Sequence, residues 1–402
     1  MQRHRVLVLF VLGIIATLGV ISIAQGGRSF GAEMDLIQDE IKESFVYEPY
    51  IPPAEEPPEI YPQASPMLYL IEYNYEPYEE EYEEEIEEYK EYEYEPCTLV
   101  TITISAAGDT TLGGDPRGSN FFIREWERND RDYSFFFREV RHIFEESDLS
   151  IVNLEGPLTY ATVYRENRQW IFRGPPRFAE ILSAGAIDVV TLANNHTRDF
   201  LDRGYRDTIE ALEAVGVARF GNGYNLIKEV NGIYVGMFGL SIWGDWRENR
   251  DSITRAINDL NNRGAQLIIA YFHWGVELAT VPSHYQRVMG RFTIDSGAHL
   301  VLGAHPHVLQ GIEVHNGRNI VYSLANFSFG GNNNPADHHT MIFQQTFTFD
   351  NGVLVNTNDT NIIPAFISSE RDRNNFQPII AEGEDAERIL ERVRVYSERL
   401  NQ

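Results

Sequence analysis

From Val100 onward, short apolar runs repeatedly end in a polar cluster, and this repetition constrains the fold more than any other feature of the sequence. Leu99–Ala106 runs into Ala107-Gly108-Asp109, and Leu149–Asn153 into Asn153-Leu154-Glu155-Gly156. Ile187–Ala193 ends at Asn194-Asn195-His196, Gln266–Phe272 at His273-Trp274-Gly275, and Ala298–Leu302 at Gly303-Ala304-His305-Pro306-His307. The runs are rich in β-branched and aromatic residues, and the stretches between them carry apolar residues at helical spacing. That alternation predicts a layered α/β architecture. In such folds ligands gather at the carboxyl ends of strands, where the sheet fixes the start of each loop. A lone Asp109 reads as a turn residue and a lone Asn194-Asn195 as a helix cap. Five clusters at equivalent positions exceed what turn chemistry explains.

The connecting elements follow the same logic. Tyr133–Glu146 has Phe136, Val140, Ile143 and Phe144 at helical spacing. Pro176–Ala184 predicts a helix begun by proline and stopped at Gly185. Tyr205–Val215, Ile253–Arg263 and His284–Asp295 predict further helices, each followed by glycine within two residues. Ile233–Leu240 and Asn319–Leu324 predict strands. Phe343, Gln345, Phe347 and Phe349 alternate up to Asp350-Asn351-Gly352, and Val353 and Val355 continue beyond it, which predicts a hairpin. Glu384–Leu400 predicts a closing charged amphipathic helix.

The first quarter of the 402-residue chain is different. Arg3 and Arg5 precede an uncharged apolar run, Val6–Ile23, which predicts an N-terminal transmembrane anchor over residues 1–27. Ser22-Ile23-Ala24 offers a cleavage sequence for the alternative, a removed signal peptide. Either reading places the remainder on the extracytoplasmic side, because the positive residues mark the inner flank. Residues 28–97 hold 22 acidic residues against three basic ones, with repeated proline and Glu-Tyr alternation. Such a segment cannot bury enough apolar surface to offset its ordering entropy, so it predicts a disordered, solvated stalk. The net charge of −27 excludes nucleic acid as a partner. A single cysteine, Cys97, excludes an internal disulfide. The folded part is then a domain over residues 98–367 with a C-terminal extension over 368–402.

Asp109, Glu155, Asn195, His273, His305 and His307 form a mixed oxygen and nitrogen ligand set. It suits manganese, zinc or iron better than calcium or magnesium, which prefer oxygen alone. The set is larger than one tetrahedral ion needs, and it fits two divalent ions about 3.5 Å apart sharing a carboxylate. His196 directly follows a candidate ligand and so points elsewhere, as a proton donor or phosphoryl contact. Arg173 within Phe172-Arg173-Gly174, together with Asn153 and Asn326, is a candidate for contact with an anionic substrate. Asp199 and Asp202 follow the His196 loop and read as helix-capping residues, with reach to the site as the alternative. His338-His339 read as part of a solvated loop, and Trp243 and Trp274 as wall and core.

The ordered set Gly108-Asp109-Thr110-Thr111-Leu112-Gly113, Asn153-Leu154-Glu155, Ala193-Asn194-Asn195-His196, His273-Trp274-Gly275, Gly303-Ala304-His305-Pro306-His307-Val308 and Tyr322-Ser323-Leu324-Ala325-Asn326-Phe327 resembles the calcineurin-like metallophosphatase superfamily. Within it, the set looks most like the CapA-type proteins of poly-γ-glutamate capsule synthesis. The resemblance spans roughly Val100–Ile367. It implies a four-layer α/β/β/α sandwich with the site at one edge. It also implies Asp109 and His307 on a first metal, Glu155 bridging, Asn195, His273 and His305 on a second, and His196 as acid. One departure stands out. The superfamily's first motif is Asp-x-His, and here Thr111 holds the third position, as in CapA-like sequences, leaving the first metal a ligand short. Glu155 also replaces the usual bridging Asp and adds a methylene. The function so implied is a membrane-anchored, extracytoplasmic protein of capsule polymer synthesis or export with a metal-dependent phosphoesterase-like site. Its partners would be an anionic polymer or phosphorylated substrate and other capsule-synthesis membrane subunits. A general exported metallophosphoesterase and a non-catalytic polymer-binding assembly subunit are the alternatives.

Overall fold

The computed structural model describes residues 99–401 apart from Ser119 and Asp245. The anchor expected at residues 1–27, the acidic segment 28–97 and Cys97 lie outside the described residues. Among the described residues no helix is long and apolar enough to cross a membrane.

The first sheet is built on β1 (Leu99–Thr111), which runs past the expected end at Ala106. On one side β1 pairs in parallel with β2 (Leu149–Leu154), followed by β3 (Val189–Thr191) and β4 (Ala218–Phe220). On its other side the first eight residues pair antiparallel with β12 (His339–Asp350), which forms the predicted hairpin with β13 (Val353–Phe366). Beyond Ala106 the partner changes to β11 (Asn326–Phe329), parallel, with Asp109 opposite Asn326. Gly108 makes this approach possible, since a Cβ there would lie 1.9 Å from the Ala325 carbonyl oxygen. β14 (Ile379–Ile380) completes the edge beside β13.

The second sheet has the order β5 (Leu226–Val230), β6 (Ile233–Ile242), β7 (Leu267–Trp274), β8 (Leu300–Ala304), β10 (Arg318–Val321), β9 (Ile312–His315). Every residue of β7 and β8 is buried, as expected for parallel strands covered on both faces.

Ile104, Ile151 and Val189 of the first sheet pack with Met237, Ile269, Tyr271 and Leu302 of the second, so the sheets share an apolar interior. The outer face of the first sheet is covered by aromatic-rich segments that include α1 (Phe121–Arg128), α2 (Arg141–Glu145), α3 (Ala179–Ala184) and α4 (Leu201–Ala214). The outer face of the second is covered by α5 (Trp246–Asn262) and α6 (His284–Asp295). Two sheets with helices on their outer faces make this a mixed α/β fold. α7 (Gly383–Glu398) inserts Ile389 and Val393 into the core between the sheets.

Some elements differ from expectation. Tyr133–Glu146 is not one helix; a 3-10 turn at Phe135–Phe137 precedes the short α2. All three phenylalanines are buried, and three consecutive side chains cannot share one face of an α-helix. The predicted helix at Pro176 likewise opens as a 3-10 turn, Pro176–Phe178. α6 matches its expected bounds, fixed by a capping box between Ser283 and Gln286. α1, β4, β5, β9 and β11 were not anticipated.

Candidate metal centre

The strand ends of both sheets meet at one buried cluster. Asp109, at the end of β1, is fully buried, and its amide donates to the Ala325 carbonyl at 2.9 Å. Its Oδ1 accepts from Asn153 Nδ2 at 2.7 Å, and its Oδ2 accepts from the His305 amide at 3.1 Å. His307 Nδ1 stands 3.0 Å from the same Oδ2 and 2.9 Å from Asn326 Oδ1. Asn153 is itself braced, its Oδ1 accepting from Asn194 Nδ2 at 3.0 Å.

Around His273 the second group converges. Its Nε2 lies 2.8 Å from Asn195 Oδ1, 3.1 Å from His305 Nδ1 and 3.4 Å from Glu155 Oε1. His305 and His307 both have left-handed backbone, at φ +94° and +57°. Such a conformation is costly for a side chain of this size, and strain of this kind is typical of functional loops. Here the turn brings both imidazoles to the cluster, their ring centroids 5.7 Å apart.

Glu155 is the test of whether a metal fits. It is fully buried, and neither carboxylate oxygen has a hydrogen-bond partner. Leaving a buried carboxylate unsatisfied is costly, and a cation between these groups removes that cost. Two triads of potential ligands meet at this residue: Asp109, Glu155 and His307, and Glu155, His273 and His305, with ligand atoms within 4.8 Å in each. The donor set fits a divalent cation, and Glu155 is common to both triads.

Electrostatics divide the two triads: His273 and His305 are held neutral, whereas His307 and Glu155 keep their protons when no cation is present. Burial raises the Glu155 carboxyl to about 8, and the Asp109 charge adds to the effect. Burial would raise Asp109 as well, but the His307 hydrogen bond and charge hold it down at about 2. For His307 burial acts downward and is outweighed by the Glu155 and Asp109 carboxylates, which push it up to about 9. Burial lowers His273 to about 3 and His305 to about 2, so both imidazoles are neutral, the form that binds a metal.

His196 stands beside this group, across Glu155 from His273 Nε2. Its Nδ1 is 2.7 Å from Asp199 Oδ2, its Nε2 is 4.0 Å from Glu155 Oε1, and its ring packs on Phe172 with centroids 4.1 Å apart. Asp199 is therefore not a helix cap. It is fully buried, orients His196 and accepts from the Phe172 amide at 2.7 Å. Asp202 pairs with exposed Arg198.

Asn153 and Asn326 lie inside the cluster, bonded to Asp109 and His307. Arg173 does not share their contacts: its guanidinium donates to the Ala161 carbonyl and covers the Phe200 ring at 5.0 Å. Trp274 is buried core, whereas Trp243 is half exposed and packs edge-on against His305 at 4.6 Å. His339 pairs with Asp337 rather than lying free in a loop. Thr111 donates its hydroxyl to the Glu155 carbonyl at 2.8 Å and supplies no imidazole. Sequence reasoning named Asn194 and Phe172 without their roles as braces of Asn153 and His196, and it missed Glu277. Glu277 forms a third potential ligand group with His305 and His307, and its signal was a carboxylate closely following His273-Trp274-Gly275.

Residues 103–331 match the family model described as bacterial capsule synthesis protein PGA_cap. Among curated proteins, the chain is 30% identical over 213 residues to the PGA biosynthesis protein CapA of Bacillus subtilis (strain 168), covering 48% of this chain and 56% of that protein. It is 27% identical over 220 residues to the capsule biosynthesis protein CapA of Bacillus anthracis, covering 48% and 54% respectively. The chain thus spans about half the length of these relatives. Among solved structures, a hypothetical protein from Thermus thermophilus aligns with TM-score 0.40 and 16% identity, over 65% of this chain and 99% of that one.

Proposed function

The chain belongs to the bacterial capsule synthesis protein PGA_cap family, and on that premise we propose that it serves the synthesis or export of a poly-γ-glutamate-type capsule polymer through a metal-dependent, phosphoesterase-like centre. The observation that carries this reading is the buried, unpartnered Glu155 carboxylate shared by two triads of ligand groups. The names of the CapA relatives support the capsule role. The fold reading is a metallophosphatase-like four-layer sandwich, supported by the two facing sheets and their outer helices. The apolar run Val6–Ile23 behind Arg3 and Arg5 supports a single-pass membrane anchor that holds the domain on the extracytoplasmic side.

In this reading Asp109, Glu155 and His307 hold one divalent ion, and Glu155, Asn195, His273 and His305 hold the other. When bound, the ions supply Lewis-acid charge at a phosphoryl oxygen. The chain's own residues do the rest. Asp199 fixes a proton on His196 Nδ1 and sets the ring plane, and Phe172 supports the ring from one face. That leaves His196 Nε2 facing the cluster, placed to exchange a proton with a leaving oxygen. Asn153 and Asn326 hold Asp109 and His307 at the lengths quoted above and limit their rotation. The substrate is an anionic polymer or its phosphorylated carrier, and the partners are membrane subunits of the same synthesis system.

A second reading, a non-catalytic polymer-binding subunit that keeps its metal for stability, is favoured by one observation. Thr111 stands where the superfamily has a ligand histidine, with its hydroxyl already committed. One experiment separates the two. Full-length chain is loaded with manganese, its metal content is measured, and it is assayed on a model phosphodiester and on poly-γ-glutamate. The catalytic reading expects turnover that His196→Ala reduces by roughly 10²- to 10⁴-fold. Bound metal without turnover of either compound would sink it in favour of the second.

A further inference from the structure

The loop after β7 brings a third carboxylate to the cluster. Glu277 is exposed, whereas Glu155 is fully buried. Its carboxylate oxygen and one nitrogen each of His305 and His307 lie within 4.8 Å of one another. Those two histidines belong to different triads, one with Glu155 and His273, the other with Asp109 and Glu155. Glu277 therefore lies near one histidine of each triad.

Its placement is built into the fold. The next residue, Leu278, donates its amide to the Pro306 carbonyl at 2.8 Å, tying the loop to the turn between the two histidines. The Ala279 carbonyl accepts from Gln310 Nε2 at 2.8 Å, and Gln310 Oε1 accepts in turn from the buried Gln286 at 3.0 Å. Gly275, at φ +89°, lets the chain leave β7 in this direction, and its open face packs against the Gln286 side chain. A long carboxylate held at such a mouth is a ligand type suited to manganese, zinc or iron.

We propose that Glu277 is a further metal ligand that closes the pair of ions from the solvent side and supplies the coordination lost with Thr111. This inference rests on the metal-centre reading above. Its position at the mouth also makes Glu277 the ligand that an incoming anionic group meets first.

The test measures binding rather than activity. The chelator-stripped full-length chain is titrated with manganese(II) by calorimetry, alongside Glu277→Gln and a charge-matched control, Glu229→Gln, on the exposed edge of β5. The expected result is that Glu277→Gln weakens at least one manganese-binding step by roughly tenfold or more, while Glu229→Gln does not. The metal-free melting temperature of Glu277→Gln should match that of the parent, because the side chain is exposed. Parent-like manganese affinity in Glu277→Gln overturns this inference and leaves the Glu155 centre standing. A parent chain that takes up no manganese overturns both.

Discussion

Asn153 and Asp109 are joined by a 2.7 Å hydrogen bond across the ends of two parallel strands, and the same Asn153 amide nitrogen stands 3.2 Å from His273 Nδ1 in the other sheet. One side chain thus sets the spacing between candidate ligands that belong to different sheets. Asn153 is fully buried, so its amide acts on its neighbours rather than on solvent. Asn153→Ala should keep the fold but lower divalent-metal affinity by roughly 10- to 100-fold, as loss of a ligand-orienting partner does. Calorimetric titration with manganese, beside circular dichroism to confirm folding, checks this.

Metal removal should destabilise the protein. An ion that binds only the folded state, at a concentration about 100 times its Kd, adds about 2.7 kcal/mol. The melting temperature should therefore rise with manganese and fall with chelator. Glu155→Gln should abolish most of that rise, because the shared carboxylate is gone. An equal metal-induced rise in the variant would remove Glu155 from the ligand set.

Gly108→Ala should be among the most damaging single methyl additions. The new Cβ would sit 1.9 Å from the Ala325 carbonyl oxygen and 3.1 Å from the Leu324 carbonyl carbon, both backbone atoms that no rotamer change can move. Overpacking of a fixed site costs about 1–3 kcal/mol or more. Relieving the contact would also shift the Asp109 amide away from Ala325 and weaken metal binding. Urea denaturation and metal titration of the variant measure the two effects.

Asp337 links α7 to the start of β12, accepting from Arg392 at 3.0 Å and 2.5 Å through its two oxygens. Burial would raise its carboxyl, but hydrogen bonds from His339 and Arg392 outweigh this and hold it far below the ordinary 3.8. With the folded value depressed, its stabilisation is fully present above the unfolded value and is lost as pH falls below about 4. At pH 7, Asp337→Asn should melt at a lower temperature than the parent. The gap should shrink steadily as the pH is lowered through 4 to 2. A gap independent of pH would rule out this linkage.

The convergence of the candidate site's side chains was more legible in the sequence than the details of the elements that carry them. Polar residues at successive strand ends are an arithmetic pattern, visible because a buried strand leaves them no other place. Asp109, Glu155, Asn195, His273, His305 and His307 are brought into one cluster for that reason. Glu277 lies on a loop with neither period nor strand to mark it, and only the tie from Leu278 to Pro306 brings it in. Asp199 was misread because a carboxylate just ahead of a helix resembles a cap, whereas its partner turned out to be a side chain three residues back. Phe135–Phe137 looked helical beside Val140, Ile143 and Phe144, and burial of all three rings overrode the spacing. β11 escaped notice because its four residues are all buried and its partner, β1, is more than 200 positions earlier in the chain.

That distance has a kinetic meaning. Asp109 is held by Ala325 and paired with Asn326, so this candidate ligand reaches its final position only after roughly three quarters of the described chain has been made. Contacts of such long sequence separation form late and slowly. A nascent chain released before Ala325 would carry Asp109, Glu155, His273 and both histidines of the turn, yet lack the strand that seats the first of them. On the proposed reading, tight metal uptake would be a signature of completed folding, and partly made chains would lack a finished centre.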